Sequence, residues 1–239
     1  MEGVKIGCCG FPKGMKHYFS RFRLVEVQGT FYQPPQLDTV LRWRQEAPPE
    51  FEFTVKAWQL ITHPASSPTY RKAGLKIAPG REGNYGFFKL TAEVTEAWHR
   101  TEEIAEALQA KVIVFQCPPS FGEEGQNVEN MRKFFSAIAR RFLFVWEPRG
   151  QWSQAGVKAL CEELNVVHCV DPLEREPLYG RINYFRLHGG PGYRHKYSDE
   201  ELRWLRDRWG SGEAYFLFNN LSMYDDALRL ERLFKGGTG

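Results

Sequence analysis

The sequence predicts an α/β protein, a single (β/α)8 (TIM) barrel domain over residues 1–239. Three observations predict it. Eight short apolar runs alternate with amphipathic or polar stretches along the chain. Several of the runs are apolar on both faces, as parallel strands covered by helices must be. The length of 239 residues lies close to the roughly 250 that one such barrel takes. A doubly wound open sheet would show a similar rhythm, but no glycine-rich fingerprint follows the first strand.

The strand candidates are residues 4–8, 24–28, 51–56, 112–116, 142–147, 166–170, 184–188 and 214–218. Helical patterning falls at 37–45, 95–109, 128–140, 153–164 and 199–209, and a last helix at 225–234 follows strand eight. Ser198 reads as an N-cap, with Glu201 three residues on completing a capping box. Two connections depart from the plan. Residues 17–22 leave room only for a very short first helix. Residues 171–181, with Pro172, Pro177 and Gly180, show no helix at all. After strand three, residues 58–89 are dense in proline, glycine and basic side chains. A stretch that long inside a compact fold is expected to be a lid or binding loop, or to carry structure of its own. The tail at 236–239, three glycines and a threonine, is expected to fray.

Composition excludes some functions. A hydrophobic share of 42% with 15% aromatics supports a large core, and a net charge of +3 is too small to require a nucleic-acid partner. No apolar run approaches the roughly 20 residues of a membrane span, so a cytoplasmic protein without a membrane partner is expected. The cysteines are odd in number and lack zinc spacing: Cys8 and Cys9 adjoin, while Cys117, Cys161 and Cys169 are scattered. Buried free thiols are the expectation, with a Cys161–Cys169 disulfide left open. The helix faces offer no readable oligomerisation signal.

In a barrel of this class the C-terminal strand ends face the active-site mouth. Here nearly every such end is polar after an apolar body. Strand two ends on Glu26 and Gln28, which share a face, and strand three on Lys56. Strand four ends on Gln116, before Pro118-Pro119. Strand five supplies Glu147 and Arg149, two apart and so on one side of an extended chain. Asp171 follows strand six, Tyr184, Arg186 and His188 share a face of strand seven, and Asn219-Asn220 follow strand eight. A structural ion pair plugging the barrel would account for Glu147 with Arg149, or Glu26 with Lys56, and Arg186 could likewise simply pair with a barrel carboxylate. His188 is the best acid–base candidate, since an imidazole ordinarily titrates near 6.5, and Gly189-Gly190 would let a ligand approach. His63 opens the long loop; His17, His99 and His195 read as surface residues and His168 as core. Phe31, Tyr32, Trp58, Trp152, Tyr193 and Tyr197 stand beside the ends, as stacking platforms or simple packing. Lys56 also raises the possibility of Schiff-base chemistry, if burial lowers its pKa.

The stretches Val25-Glu26-Val27-Gln28-Gly29-Thr30-Phe31-Tyr32, Phe53-Thr54-Val55-Lys56-Ala57, Ile61-Thr62-His63, Phe115-Gln116-Cys117-Pro118-Pro119-Ser120-Phe121, Trp146-Glu147-Pro148-Arg149, Arg186-Leu187-His188-Gly189 and Phe218-Asn219-Asn220 together resemble the YecE-like family of uncharacterised TIM barrels, domain of unknown function 72. The chain departs from that pattern at Gln28-Gly29, where Asn-Ser is usual. It departs again at Gly7-Cys8-Cys9-Gly10-Phe11, where Gly-Thr-Ser-Gly-Trp is usual. The resemblance implies the barrel and no particular reaction.

The expected activity is acid–base chemistry on a small anionic, phosphorylated or sugar-like substrate. His188, Glu147 and Glu26 would be catalytic. Lys56, Arg149, Arg186, Gln116, Asn219, His63 and Tyr32 would bind substrate, the cations through the charge-assisted bonds that suit carboxylate or phosphate. No cofactor is required on this reading. The alternative is a metal-dependent phosphoesterase or nuclease, with Glu26, Glu147, Asp171 and His188 on a divalent ion and Arg71, Lys72, Lys76 and Arg81 on a nucleic acid. A non-catalytic ligand-binding barrel is a third reading.

Overall fold

The computed structural model describes residues 3–236, so the glycine-rich tail at 237–239 lies outside it. Eight parallel strands close a barrel in chain order. They are β1 (Val4–Cys9), β2 (Leu24–Val27), β3 (Glu52–Lys56), β4 (Val112–Gln116), β5 (Leu143–Glu147), β6 (Val167–Val170), β7 (Asn183–Leu187) and β8 (Ala214–Phe218). The barrel closes where β1 pairs with β8, Val4 against Ala214 through Cys8 against Phe218.

Side-chain alternation sorts the strands into two packed layers. Leu24, Val112, Val114, Val145, Cys169 and Leu217 fill the barrel interior. Their neighbours Val25, Ile113, Phe115, Trp146, Phe185 and Phe216 face outward beneath the helices. This double burial is why the strands read as nearly continuous apolar runs.

The helix over Asp199–Trp209 begins on the expected capping box. Ser198 Oγ accepts from the Glu201 backbone N–H, and the Glu201 carboxylate accepts from that of Ser198. The first crossover helix has only five residues, Met15–Phe19, and no helix joins β6 to β7. Elsewhere boundaries move. The helix expected at 128–140 runs Gly125–Ala137, and the one expected at 95–109 runs Ala92–Ala107 behind a Thr91 cap. Polar first turns carry no apolar periodicity, so their start is hidden in the sequence.

The segment after β3 is folded rather than a free lid. It contains short helices at Gln59–Thr62 and Pro68–Lys72, the latter capped by Ser67, and a 3-10 turn at Glu82–Asn84. Gly86 and Phe88 donate backbone hydrogen bonds to Leu60 and Ile61, both 2.9 Å. Phe88 is fully buried against Phe115, Phe134 and Phe135. All five cysteines are buried free thiols, so Cys161 and Cys169 do not pair. Among the described residues no helix is long and apolar enough to cross a membrane.

Candidate functional site

The strand ends converge on one buried cation. Arg186 on β7 is fully buried, and its guanidinium spans the barrel interior. One terminal nitrogen donates to Gln116 Oε1 at 2.9 Å and to Glu147 Oε2. The other meets Glu26 Oε1 at 2.9 Å and Gln28 Oε1 at 3.4 Å. Glu26, also fully buried, further accepts from the Gln28 amide and, at 2.9 Å, from the Tyr184 hydroxyl. Two carboxylates share one guanidinium, and Glu147 is held ionised. Burial alone would push Glu147 up, but Arg186, Arg149 and His188 hold it well below the usual carboxylate range. Burial likewise opposes charge on Arg186, and Glu26 and Glu147 reverse that.

Above this plug stands a second layer. Arg149 Nε donates to Glu147 Oε1 at 2.9 Å, and His188 Nε2 lies 2.9 Å from the same oxygen. The Asn219 amide nitrogen sits 3.1 Å from His188 Nδ1. An amide N–H can only donate, so Nδ1 accepts and the imidazole proton sits on Nε2, facing Glu147. The contact of Nε2 with Arg149, 3.0 Å, is then a close approach of two donors rather than a bond. His188 leaves the strand ladder, and its own backbone N–H goes to Asp171 Oδ2 at 2.9 Å. Gly189 (φ +71°) must be glycine twice over, since a Cβ there would meet Asn220 Cβ at 2.6 Å; beside Gly190 (φ +65°) the space is open.

Two cavities open at this mouth, of about 480 and 610 Å³, with Pro119, Arg149 and Tyr193 as their common wall. The smaller exposes Glu147, His188 and Asp171. The larger exposes Lys56, His63, Tyr32, Lys72, Gln116 and Asn219. Gln116 has its amide oxygen committed to Arg186, which leaves its N–H donors for that cavity. His63 is buried and carries no charge near neutrality. Burial, then Lys56 and Arg149, push its pKa down to about 3.

Most of the expected site residues thus assemble at one mouth. Arg186 and Glu26 are fully buried and line neither cavity; they form the floor beneath them. The divalent-metal alternative does not fit the donor set. Arg186 lies between Glu26 and Glu147, and both Asp171 oxygens accept backbone N–H groups, of His188 and of Leu173. Among the described residues no three His, Cys, Asp or Glu side chains are grouped to hold an ion. Asn220 is structural, donating to Asp226 and to the His195 carbonyl. His168 accepts the Leu178 N–H inside the core, as expected.

Some participants were not assigned roles from the sequence. Tyr184 was placed on the right strand face, but not as the donor to Glu26. Thr30 donates its hydroxyl to the carbonyls of Val27 and Lys56, at 2.9 and 2.7 Å, and ties the ends of β2 and β3 together. Phe31 then lies under the Lys56 ammonium, 3.7 Å from Nζ to the ring centre. The Thr-Phe-Tyr run after β2 was the available signal, readable only once β2 and β3 are known to be adjacent.

The family model described as "Protein of unknown function DUF72" matches residues 10–237, and the chain belongs to that family. A DUF72 family protein from Enterococcus faecalis V583 has the same fold (TM-score 0.71, 18% identity), with 98% of each chain covered. A second, from Thermotoga maritima MSB8, superposes with a TM-score of 0.67 at 21% identity over 98% of this chain and 100% of the other. A xylose isomerase domain containing protein from Salmonella typhimurium LT2 is more distant: TM-score 0.58 and 13% identity, covering 97% and 94%. At these identities the likeness is one of fold. No curated protein matches the chain.

Proposed function

We propose that this DUF72 chain is an enzyme that moves a proton on a small anionic, sugar-like substrate held at the barrel mouth. The observation that carries the reading is the pair formed by His188 Nε2 and buried Glu147 at 2.9 Å, lining the smaller cavity beside Arg149, which both cavities share. A carboxylate held ionised behind an imidazole fixes its tautomer and stabilises the imidazolium that forms when the other nitrogen takes a proton. That other nitrogen, Nδ1, now accepts from Asn219. A substrate donor would take the place of the Asn219 amide, and Asn219 would turn to hold a substrate oxygen.

Arg149 supplies a partly exposed guanidinium and Lys72 a second cation lining the larger cavity, charges that suit a phosphate or carboxylate. Tyr32 and Tyr193 offer ring faces to a sugar. The long segment's basic residues favour a small anion over a polynucleotide. Of Arg71, Lys72, Lys76 and Arg81, Lys72 alone lines the larger cavity, and Arg81 is paired with Glu93 at 3.1 Å.

The test begins with melting temperature in inorganic phosphate and a set of aldose and ketose phosphates, because a ligand of the native state raises apparent stability. Stabilising compounds are then incubated in D2O and followed by NMR for exchange of carbon-bound hydrogen. His188→Gln is expected to slow exchange by about 10²–10⁴-fold with the melting temperature kept. Wild-type exchange rates in that variant would sink the role of His188.

A further inference from the structure

Lys56 is a buried lysine without a counter-ion. It ends β3 with only 5% of its surface exposed. An ammonium carries three N–H donors, yet among the described residues Nζ has no hydrogen bond or salt bridge to any carboxylate, carbonyl or hydroxyl. Nζ lies instead over the face of Phe31, 3.7 Å from the ring centre. The nearby carboxylates, Glu26 and Glu147, are taken by Arg186 and Arg149. The side chain faces the larger cavity, beside Gln116, His63 and Asn219.

We propose that Lys56 is a nucleophilic amine that forms an imine with the open-chain aldehyde or ketone of the substrate. The inference rests on the sugar-like substrate proposed above and deepens it: the ligand must present a carbonyl, and Lys56 is not an anion holder. Burial first, and Arg186 and Arg149 with it, act against Glu26 and Glu147 to bring the amine's pKa down to about 7, so a large share of it carries a lone pair at neutral pH. His63 beside it stays neutral and adds no charge to repel.

The step balances with one proton drawn from solvent and needs no other reagent. The Nζ lone pair attacks the carbonyl carbon, the C–N bond forms, and the π pair of C=O moves to oxygen. An Nζ proton passes to that oxygen and gives a carbinolamine. The hydroxyl takes a proton from solvent and leaves as water while the nitrogen lone pair closes the C=N bond, and a protonated imine remains. Water addition reverses the sequence. The iminium withdraws electrons from the neighbouring carbon and acidifies its hydrogen, the proton assigned above to His188.

The experiment incubates the protein with D-glyceraldehyde 3-phosphate and sodium cyanoborohydride at pH 7, and maps the reduced adduct by peptide mass spectrometry. Melting temperature with the same compound and with inorganic phosphate is measured in parallel. Lys56 is expected to be labelled about tenfold or more faster than exposed lysines such as Lys16, and Lys56→Arg to lose that fast phase only. Labelling spread evenly over the lysines, while either compound still raises the melting temperature, would overturn the imine and leave the proton-transfer reading standing. No adduct at Lys56 and no stabilisation by either compound would overturn both. The wild-type labelling pattern decides the matter even if the Arg variant does not fold.

Discussion

The barrel carries a lysine, a carboxylate and a tyrosine at each end, and the two ends use them differently. At the N-terminal end, Lys5 donates to Glu52 at 2.5 Å and to Tyr215 at 2.8 Å, and Tyr215 donates to Glu52 at 2.5 Å. Each member is partnered by the other two. At the C-terminal end, Arg186 has displaced the lysine from its carboxylates, and Tyr184 serves Glu26. Lys56 is left over, facing a cavity. A closed triangle of partners seals one end of the core, whereas the buried amine at the other end has no partner among the described residues and faces a cavity.

The comparison breaks most visibly at Arg186. Arg186→Met should destabilise the protein by about 3–5 kcal/mol, since it leaves Glu26 and Glu147 buried without their shared counter-charge; urea unfolding at pH 7 measures it. A loss below 1 kcal/mol would mean that the carboxylates find other partners and the floor is not held by Arg186.

Lys56→Met sharpens the contrast because its sign should be opposite. The folded pKa of Lys56 is lowered to about 7, against about 10.4 in an unfolded chain. Between those values the unfolded state binds more protons, so this residue makes stability rise with pH across pH 7–10.4. Below pH 7 it costs the fold its full amount, and above 10.4 nothing. Lys56→Met should therefore stabilise by about 2–4 kcal/mol at pH 6 and hardly at all at pH 10.5. Urea denaturation at both values reads it, and an equal effect at the two would show that Lys56 is not desolvated.

The same substitution at the other end should be small and unfavourable. The Lys5 side chain is 37% exposed, so water screens its pair. Lys5→Met should cost about 1 kcal/mol or less, with the melting temperature falling by a few degrees at most. A stabilisation there would erase the distinction drawn between the two ends.

The strands were the most legible elements. Residues 112–116 and 214–218 agree with β4 and β8 end to end, because an apolar run bounded by turns has one arrangement that buries both faces. The helix at 199–209 is equally clear, its start written in Ser198 and Glu201. His188 was read as the last residue of strand seven, but β7 stops at Leu187. Asp171, distant in sequence, draws the His188 N–H out of the ladder. The segment at 58–89 looked irregular because its helices are single turns between prolines and glycines, too short to show a period.

The sequence by itself determined the barrel and the membership of its mouth. Alternation along each strand dictates which side chains point inward, and Glu26, Lys56, Gln116, Glu147 and Arg186 follow from it, with His188 and Asn219 just beyond their strand ends. Only the tertiary structure decided who pairs with whom. Lys56 and Arg186 read alike as cations at strand ends, yet Arg186 lies between Glu26 and Glu147, which come from β2 and β5 across the interior, and its planar fork can serve both at once. Lys56 has a single point of charge and no carboxylate left within reach. That allocation depends on three-dimensional distances between strands far apart in the chain, and no local pattern of residues encodes them.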